Sequence, residues 1–213
     1  MKKRVIGLLF LALLSFTFTA CGDAAVSGTT QARPSKDTGD TNQQPDAEDG
    51  QEAPTKTVVV YFSCTGTTKL LAEYAAEILN ADLCEIMPEI PYTEEDLNYS
   101  DSSSRASKEQ YDPSARPPIS GTFENMEEYD IVLLAYPIWW GQAPRIISTF
   151  LESYDFTDKT VVPFCTSHSS GVGSSAVNLH GLCSDSTKWL EGERFSYGMT
   201  KTEIEKWIDG ILI

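Results

Sequence analysis

Three apolar runs set the terms on which this chain folds: residues 57–62 (TVVVYF), 130–135 (DIVLLA) and 160–165 (TVVPFC). They are rich in β-branched and aromatic residues and show no polar alternation. Runs of that kind fit strands buried on both faces, the condition of a parallel sheet covered by helices. Between them the pattern turns helical. Residues 67–80 set Leu70, Leu71, Tyr74, Ala75, Ile78 and Leu79 on one stripe, with Glu73 and Glu77 outside it. Pro144 stands at a first helical position and opens a helix with Ile146, Ile147, Phe150 and Leu151 inward. Residues 81–87 read as a shorter second strand, 174–183 as a helix and 192–196 as a weak fifth strand. Pro163 weakens the fourth. Thr200 and Glu203 form a capping box for a last helix that buries Ile204, Trp207 and Ile208. This alternation predicts an α/β fold, a doubly wound parallel sheet of five strands. One stretch breaks it: residues 91–128 are polar and aperiodic, with Thr93 and Asp96 able to cap one short helix.

The front of the chain reads as a targeting segment. Lys2, Lys3 and Arg4 precede the apolar run 5–14, and small residues lead to Cys21. That is the layout of a secretory signal, too short for a comfortable membrane span. The sequence Phe18-Thr19-Ala20-Cys21 resembles a bacterial lipoprotein box, with Phe18 where that pattern more often has Leu. The resemblance implies a mature chain that starts at a lipidated Cys21, exported and anchored to the outer face of the cytoplasmic membrane by lipid alone. The alternative is ordinary secretion. Residues 21–55 hold Pro34, Pro45 and Pro54 among Gly, Ser, Thr, Gln and Asp, with Val26 the only large aliphatic residue. Such a tether buries too little apolar surface to offset its ordering entropy and is expected to be disordered. The signal (1–20), the tether (21–55) and one domain (56–213) then account for the chain.

Charge narrows the partners. Without Lys2, Lys3 and Arg4, 13 basic residues face 31 acidic ones, a net charge near −18. Nucleic acid and anionic membrane surfaces are disfavoured partners. Beyond Cys21 the cysteines are Cys64, Cys84, Cys165 and Cys183; the first three lie in or beside predicted strands, which favours free thiols over disulfides.

Each of the three strong runs is followed by a loop suited to a ligand: Ser63-Cys64-Thr65-Gly66-Thr67-Thr68, Tyr136-Pro137-Ile138-Trp139-Trp140-Gly141 and Thr166-Ser167-His168-Ser169-Ser170-Gly171. In an open α/β sheet these loops meet at the carboxyl edge of the strands. Hydroxyls at a helix N-terminus suit a phosphate, and paired indoles suit a flat ring. Taken in order, YFSCTGTT, YPIWWGQAP and FCTSHSSGVGSS resemble the flavodoxin family, and specifically its lipoprotein-linked bacterial members. The resemblance covers the domain from Thr57 onward and implies strand order 2-1-3-4-5 with one non-covalent FMN.

The family's S-x-T-G-x-T phosphate pattern falls on Ser63, Thr65, Gly66 and Thr68. Pro137 to Gly141 would line the ring, with Trp139 or Trp140 stacking on it. Thr166, Ser167 and Gly171 would meet its pyrimidine edge through their backbone. His168 stands where a small residue is expected, as a surface residue or as a protonatable group near the ring. The expected role is electron transfer with redox partner proteins or small acceptors. The alternatives are an FMN-dependent NAD(P)H or quinone reductase and a non-redox binding module.

Two rival motifs compete. Gly171-x-Gly173-x-x-Ala176 matches a dinucleotide fingerprint but lies late in the chain, after a lengthened turn. Cys165-x-x-His168 and His180-x-x-Cys183 have ligand-like spacing for a metal, yet half of that set falls in the third loop. Hydrolase chemistry lacks a G-x-S-x-G elbow and has only two histidines to draw on.

Overall fold

A computed structural model of the protein describes residues 54–211. The expected signal, Cys21 and nearly all of the expected tether lie outside the described residues. The three apolar runs form β1 (Thr57–Tyr61), β3 (Ile131–Pro137) and β4 (Thr160–Thr166), and β2 (Asp82–Glu85) lies at one edge. With β5 (Lys188–Trp189) at the other edge, all pair in parallel in the order β2-β1-β3-β4-β5. Side-chain alternation divides the core between two faces. Val58, Val60, Phe62, Val132, Leu134 and Tyr136 point to one; Val59, Tyr61, Leu133, Ala135, Val162 and Phe164 point to the other. The first face is covered by α3 (Arg145–Ser153), through the predicted Ile146, Ile147, Phe150 and Leu151. The second is covered by α1 (Thr67–Leu79) and the last helix, α5 (Lys201–Ile211). Half of the predicted capping box of α5 is present: Thr200 N–H donates to the Glu203 carboxylate at 2.8 Å and holds that carboxyl below its usual range, while the Thr200 hydroxyl donates to the same carboxylate and leaves the Glu203 N–H to the Thr200 backbone carbonyl.

Several local expectations are corrected. The buried stripe of α1 is Thr68, Leu71, Ala72, Ala75 and Ala76, while Leu70 is 45% exposed. Leu71 and Ala75 are buried as expected and Tyr74, Ile78 and Leu79 pack half-buried on the same core, so the small alanines centre the contact with the sheet and leave Leu70 outside it.

The fifth strand position is filled by two short pieces, β5 (Lys188–Trp189) and β6 (Glu193–Phe195), both parallel to β4. Pro163 explains the break. Leu190 N–H donates to Val161 O at 2.9 Å, and two residues further along β4 the proline has no N–H to return. Gly192 fills the gap because a Cβ there would stand 2.8 Å from Pro163 O. Pro163 therefore leaves β4 intact at seven residues and disrupts its neighbour instead.

The helix expected at 174–183 is one turn, α4 (Ser174–Val177), followed by a 3-10 turn at His180–Leu182. In the 91–128 stretch, Thr93 and Asp96 do bond reciprocally (3.0 and 3.2 Å) but close only a turn. The helix of this region is α2 (Arg105–Tyr111), capped by the Ser104 side chain, which accepts from Ser107 N–H. The stretch is packed: Tyr92, Leu97, Ala106, Phe123 and Met126 join the first core face. All four described cysteines are free thiols.

Candidate functional site

A cleft of about 700 Å³ opens at the carboxyl edge of the sheet, lined by the loops that follow β1, β3 and β4. This size falls within the range typical of cofactor pockets.

The first wall is Ser63, Cys64, Thr65, Thr67 and Thr68. Gly66 makes the turn into α1 at φ +86°, a left-handed conformation that glycine adopts without strain. Ser63 Oγ accepts the Gly66 N–H at 3.1 Å. No side chain caps α1, and no acidic residue stands in its first turn. The helix terminus thus keeps its partial positive charge and N–H donors for an anion, beside the exposed Thr65 hydroxyl. Thr68 is buried, and its hydroxyl lies 2.7 Å from that of Thr166, which ties the first loop to the third.

The second wall is Pro137, Ile138, Trp139, Trp140 and Gly141. Trp139 and Gln142 bond to each other through both backbone pairs, each at 2.9 Å. The residues between them, Trp140 (φ +46°) and Gly141 (φ +75°), are both left-handed, the φ signature of a type I′ turn. The tandem tryptophans divide their tasks. Trp139 is 5% exposed and meets Phe62 and Tyr92 edge-on, with ring centroids 5.6 and 5.3 Å away. Trp140 stacks on Tyr99 at 4.2 Å with 25° between the planes, and Tyr111 tilts against it.

The third wall is Thr166, Ser167, His168, Ser169 and Ser170. Ser167 N–H donates to Phe195 O at 3.2 Å, and Arg194 donates to Ser167 O at 3.3 Å, so β6 steadies this loop. Of the other residues expected among the contacts, Gly66 stands between the lining residues Thr65 and Thr67, and Gly171 directly follows Ser170.

Sequence reasoning did not single out Leu97, Tyr99 or Tyr197, all of which line the cleft. The available signal was an aromatic residue set among turn formers, as in Asn98-Tyr99-Ser100 and Ser196-Tyr197-Gly198. Burial pushes the Cys64 thiol and the Tyr99 phenol up to about 12, with Glu109 adding to the first rise against Arg105, and Cys64 adding to the second. Both groups are neutral at physiological pH.

The rival motifs find no matching structure. The Gly171–Gly173 segment leads into a single helical turn. Cys165 is buried within β4, and the His180 ring stacks on Trp189 at 4.5 Å. Among the described residues, no group of three or more His, Cys, Asp or Glu is arranged to hold a metal ion.

The family model described as flavodoxin matches residues 56–211. The chain belongs to the flavodoxin family. Among solved structures, it is 42% identical to a candidate flavoprotein of Bacteroides eggerthii, with 75% of this chain and 99% of that one covered and a TM-score of 0.70. A candidate flavoprotein of Bacteroides uniformis is 39% identical over 73% of this chain and 98% of that one, also at 0.70. A flavoprotein of Lactobacillus acidophilus, solved in complex with FMN, is 23% identical over 72% and 98%, with a TM-score of 0.54, and shares the fold. No protein with a curated description matches.

The two tryptophans should separate by experiment. Trp139→Ala empties a core position and should lower unfolding free energy by about 3–5 kcal/mol. Trp140→Ala loses mainly a stack at the cleft and should cost about 1–2 kcal/mol. Denaturant unfolding of the two variants checks the difference; equal losses would return Trp140 to the core.

Proposed function

We propose that the protein binds one FMN in this cleft and carries electrons through it, held at the outer face of the cytoplasmic membrane by a lipid on Cys21. The observation that carries the reading is the pairing of two unlike ends in one cleft. At one end the uncapped α1 terminus stands among Ser63, Thr65 and Thr67; at the other, the Trp140–Tyr99 stack forms an aromatic wall. The first suits a phosphate and the second an isoalloxazine ring. The same cofactor was found with the Lactobacillus acidophilus neighbour. When bound, FMN supplies one- and two-electron redox chemistry, while the protein sets its position, exposure and surrounding charge.

In this reading the first loop neutralises the phosphate by N–H and hydroxyl donors. Ser167 and His168 border the ring across from Trp140. Purified protein loaded with FMN and desalted should stay yellow, with quenched flavin fluorescence. Thr65→Ala should weaken FMN by about 1.5–3 kcal/mol, the worth of a hydrogen bond to a charged group, and should leave riboflavin binding nearly unchanged. Equal losses for both ligands would put the phosphate elsewhere.

Charge favours a carrier. Residues 56–213 hold 24 acidic and 11 basic residues, or −13. A field of that sign opposes further negative charge in the cleft and repels anionic NAD(P)H. One observation favours an FMN-dependent reductase of quinones or similar acceptors: Leu97 and Tyr99 extend the lining beyond the three loops, as a substrate pocket would require. A stepwise reductive titration distinguishes the two. The carrier should show two resolved one-electron steps and slow reduction by NADH or NADPH. Rapid NAD(P)H oxidation with a quinone, and no resolved steps, would transfer the assignment to the reductase.

The lipid anchor is tested separately. Wild-type protein should remain with membranes in high salt and carry acyl chains on its N-terminal cysteine, while Cys21→Ser should be released. Identical fractionation of the two would replace the anchor with simple secretion.

A further inference from the structure

The turn that carries Trp140 is strained. A left-handed backbone suits Gly141 but is unusual for a residue as bulky as tryptophan, and such conformations persist only where the surroundings over-determine them. The surroundings here come from the 91–128 stretch. Gln110, near the end of α2, is 6% exposed, and its amide Nε2 donates to Trp139 O at 3.1 Å and to Ala143 O at 3.0 Å. Those two carbonyls flank the turn on either side. The Gln110 backbone carbonyl in turn accepts from the Arg145 guanidinium at 3.0 Å, so α2 is fastened to the start of α3 as well. Tyr99 stacks on the Trp140 ring as well. A second tether runs through the Gln142 side chain to Ser174 and Asn178, but both of those bonds are exposed to water. Buried hydrogen bonds fix geometry more firmly than exposed ones, so Gln110 is the principal brace.

We infer that Gln110 is a positioning residue for the cofactor wall: its two buried bonds hold residues 139–143 in the strained turn that presents the Trp140 ring to the cleft. The cofactor part of this inference rests on the proposed function; the bracing of the turn does not. The amide is chemically suited to the task, since one nitrogen supplies two N–H donors to two carbonyls. No hydrophobic residue of similar size can do so.

The test uses Gln110→Met, which keeps the length of the side chain and removes both donors. In flavin-free protein, amide exchange at Gln142, whose N–H bonds to Trp139 O, should quicken about tenfold in the variant while exchange in α1 stays unchanged. A double-mutant cycle with Trp140→Gly follows, because glycine occupies a left-handed turn without strain. If Gln110 serves the strained turn, Gln110→Met should shift the unfolding constant at least threefold less in the Trp140→Gly background than in wild type. With FMN, Gln110→Met should bind about tenfold more weakly and alter the shape of the flavin absorption band. Gln142 exchange within twofold of wild type, together with additive effects in the cycle, would overturn the inference and leave Gln110 as a packing residue. Should Gln110→Met fail to fold alone, folding of the double variant would support the brace, and its failure would overturn it. The exchange and the cycle need no flavin, so a wild-type protein that binds no FMN would remove the proposed function without deciding the role of Gln110.

Discussion

Parallel pairing of β1, β3 and β4, buried on both faces, dictates most of what this molecule can do. A strand in that position cannot turn back into its neighbour; it must leave the sheet at its carboxyl end and return over one face. Residues 63–68, 137–141 and 166–170 therefore meet at one edge whatever their sequences. Burial also removes these strands from selection for surface chemistry, leaving the loops to carry function. The hydroxyl bond between Thr68 and Thr166 shows how tightly the arrangement is drawn, since it joins residues 98 apart directly beneath the cleft. Ile138 N–H, bonded to Thr166 O at 2.9 Å, adds the second loop to the same knot.

No Asp, Glu, Lys or Arg lines the cleft, and the charges behind its aromatic wall are paired. Arg105 sits 4.0 Å over the Tyr92 ring and bonds to Glu109 at 2.7 Å, and Tyr92 donates to the same carboxylate. Arg105 also donates to Ile90 O at 2.7 Å. This group packs behind Trp139 through Tyr92 and places a satisfied ion pair, rather than a free charge, at the back of the aromatic wall. With the Cys64 thiol and the Tyr99 phenol both held neutral, the cleft walls bring little charge of their own. A ligand there meets hydroxyls, amides and rings, within a domain whose long-range field is negative.

What could be read from the sequence follows from where each signal originates. The three core strands were legible because double burial leaves an unbroken apolar run, and their following loops were legible because topology fixes where they go. On α1 only Leu70 was misplaced, because periodicity weighs it above Ala72 and Ala76, whereas close approach to the sheet favours the small side chains. The split fifth strand was hidden because its cause, Pro163, lies in the neighbouring strand. The stretch 91–128 was opaque for a related reason. Its order comes from Asx turns such as Asn98 with Ser100 and Asp101 with Ser103, and from long-range bonds such as Gln110 to Ala143, neither of which leaves a hydrophobic period. Tyr99 and Tyr197 escaped notice with it, as single aromatic residues in polar loops.

The tryptophan pair shows how one local sequence meets two opposed demands. Trp139 completes the core beneath the cleft, and its neighbour, half-buried against the same core, has to reach the Tyr99 stack within a single peptide step. The regular strand does not carry the pair, because β3 has already ended at Pro137. The chain instead reverses through a two-residue turn at positive φ, and the cost falls on Trp140, because glycine can relieve only the second position. Local rules are broken mainly where function requires it, and the remedy is supplied from elsewhere in the fold. Here it comes from α2 and the Tyr99 loop, the part of the chain that the alternating pattern left unexplained. That stretch is thus better understood as the scaffold of the second wall than as a cover over the cleft: without its buried amide and its stacked ring, nothing in β3 itself would hold the indole at the cleft.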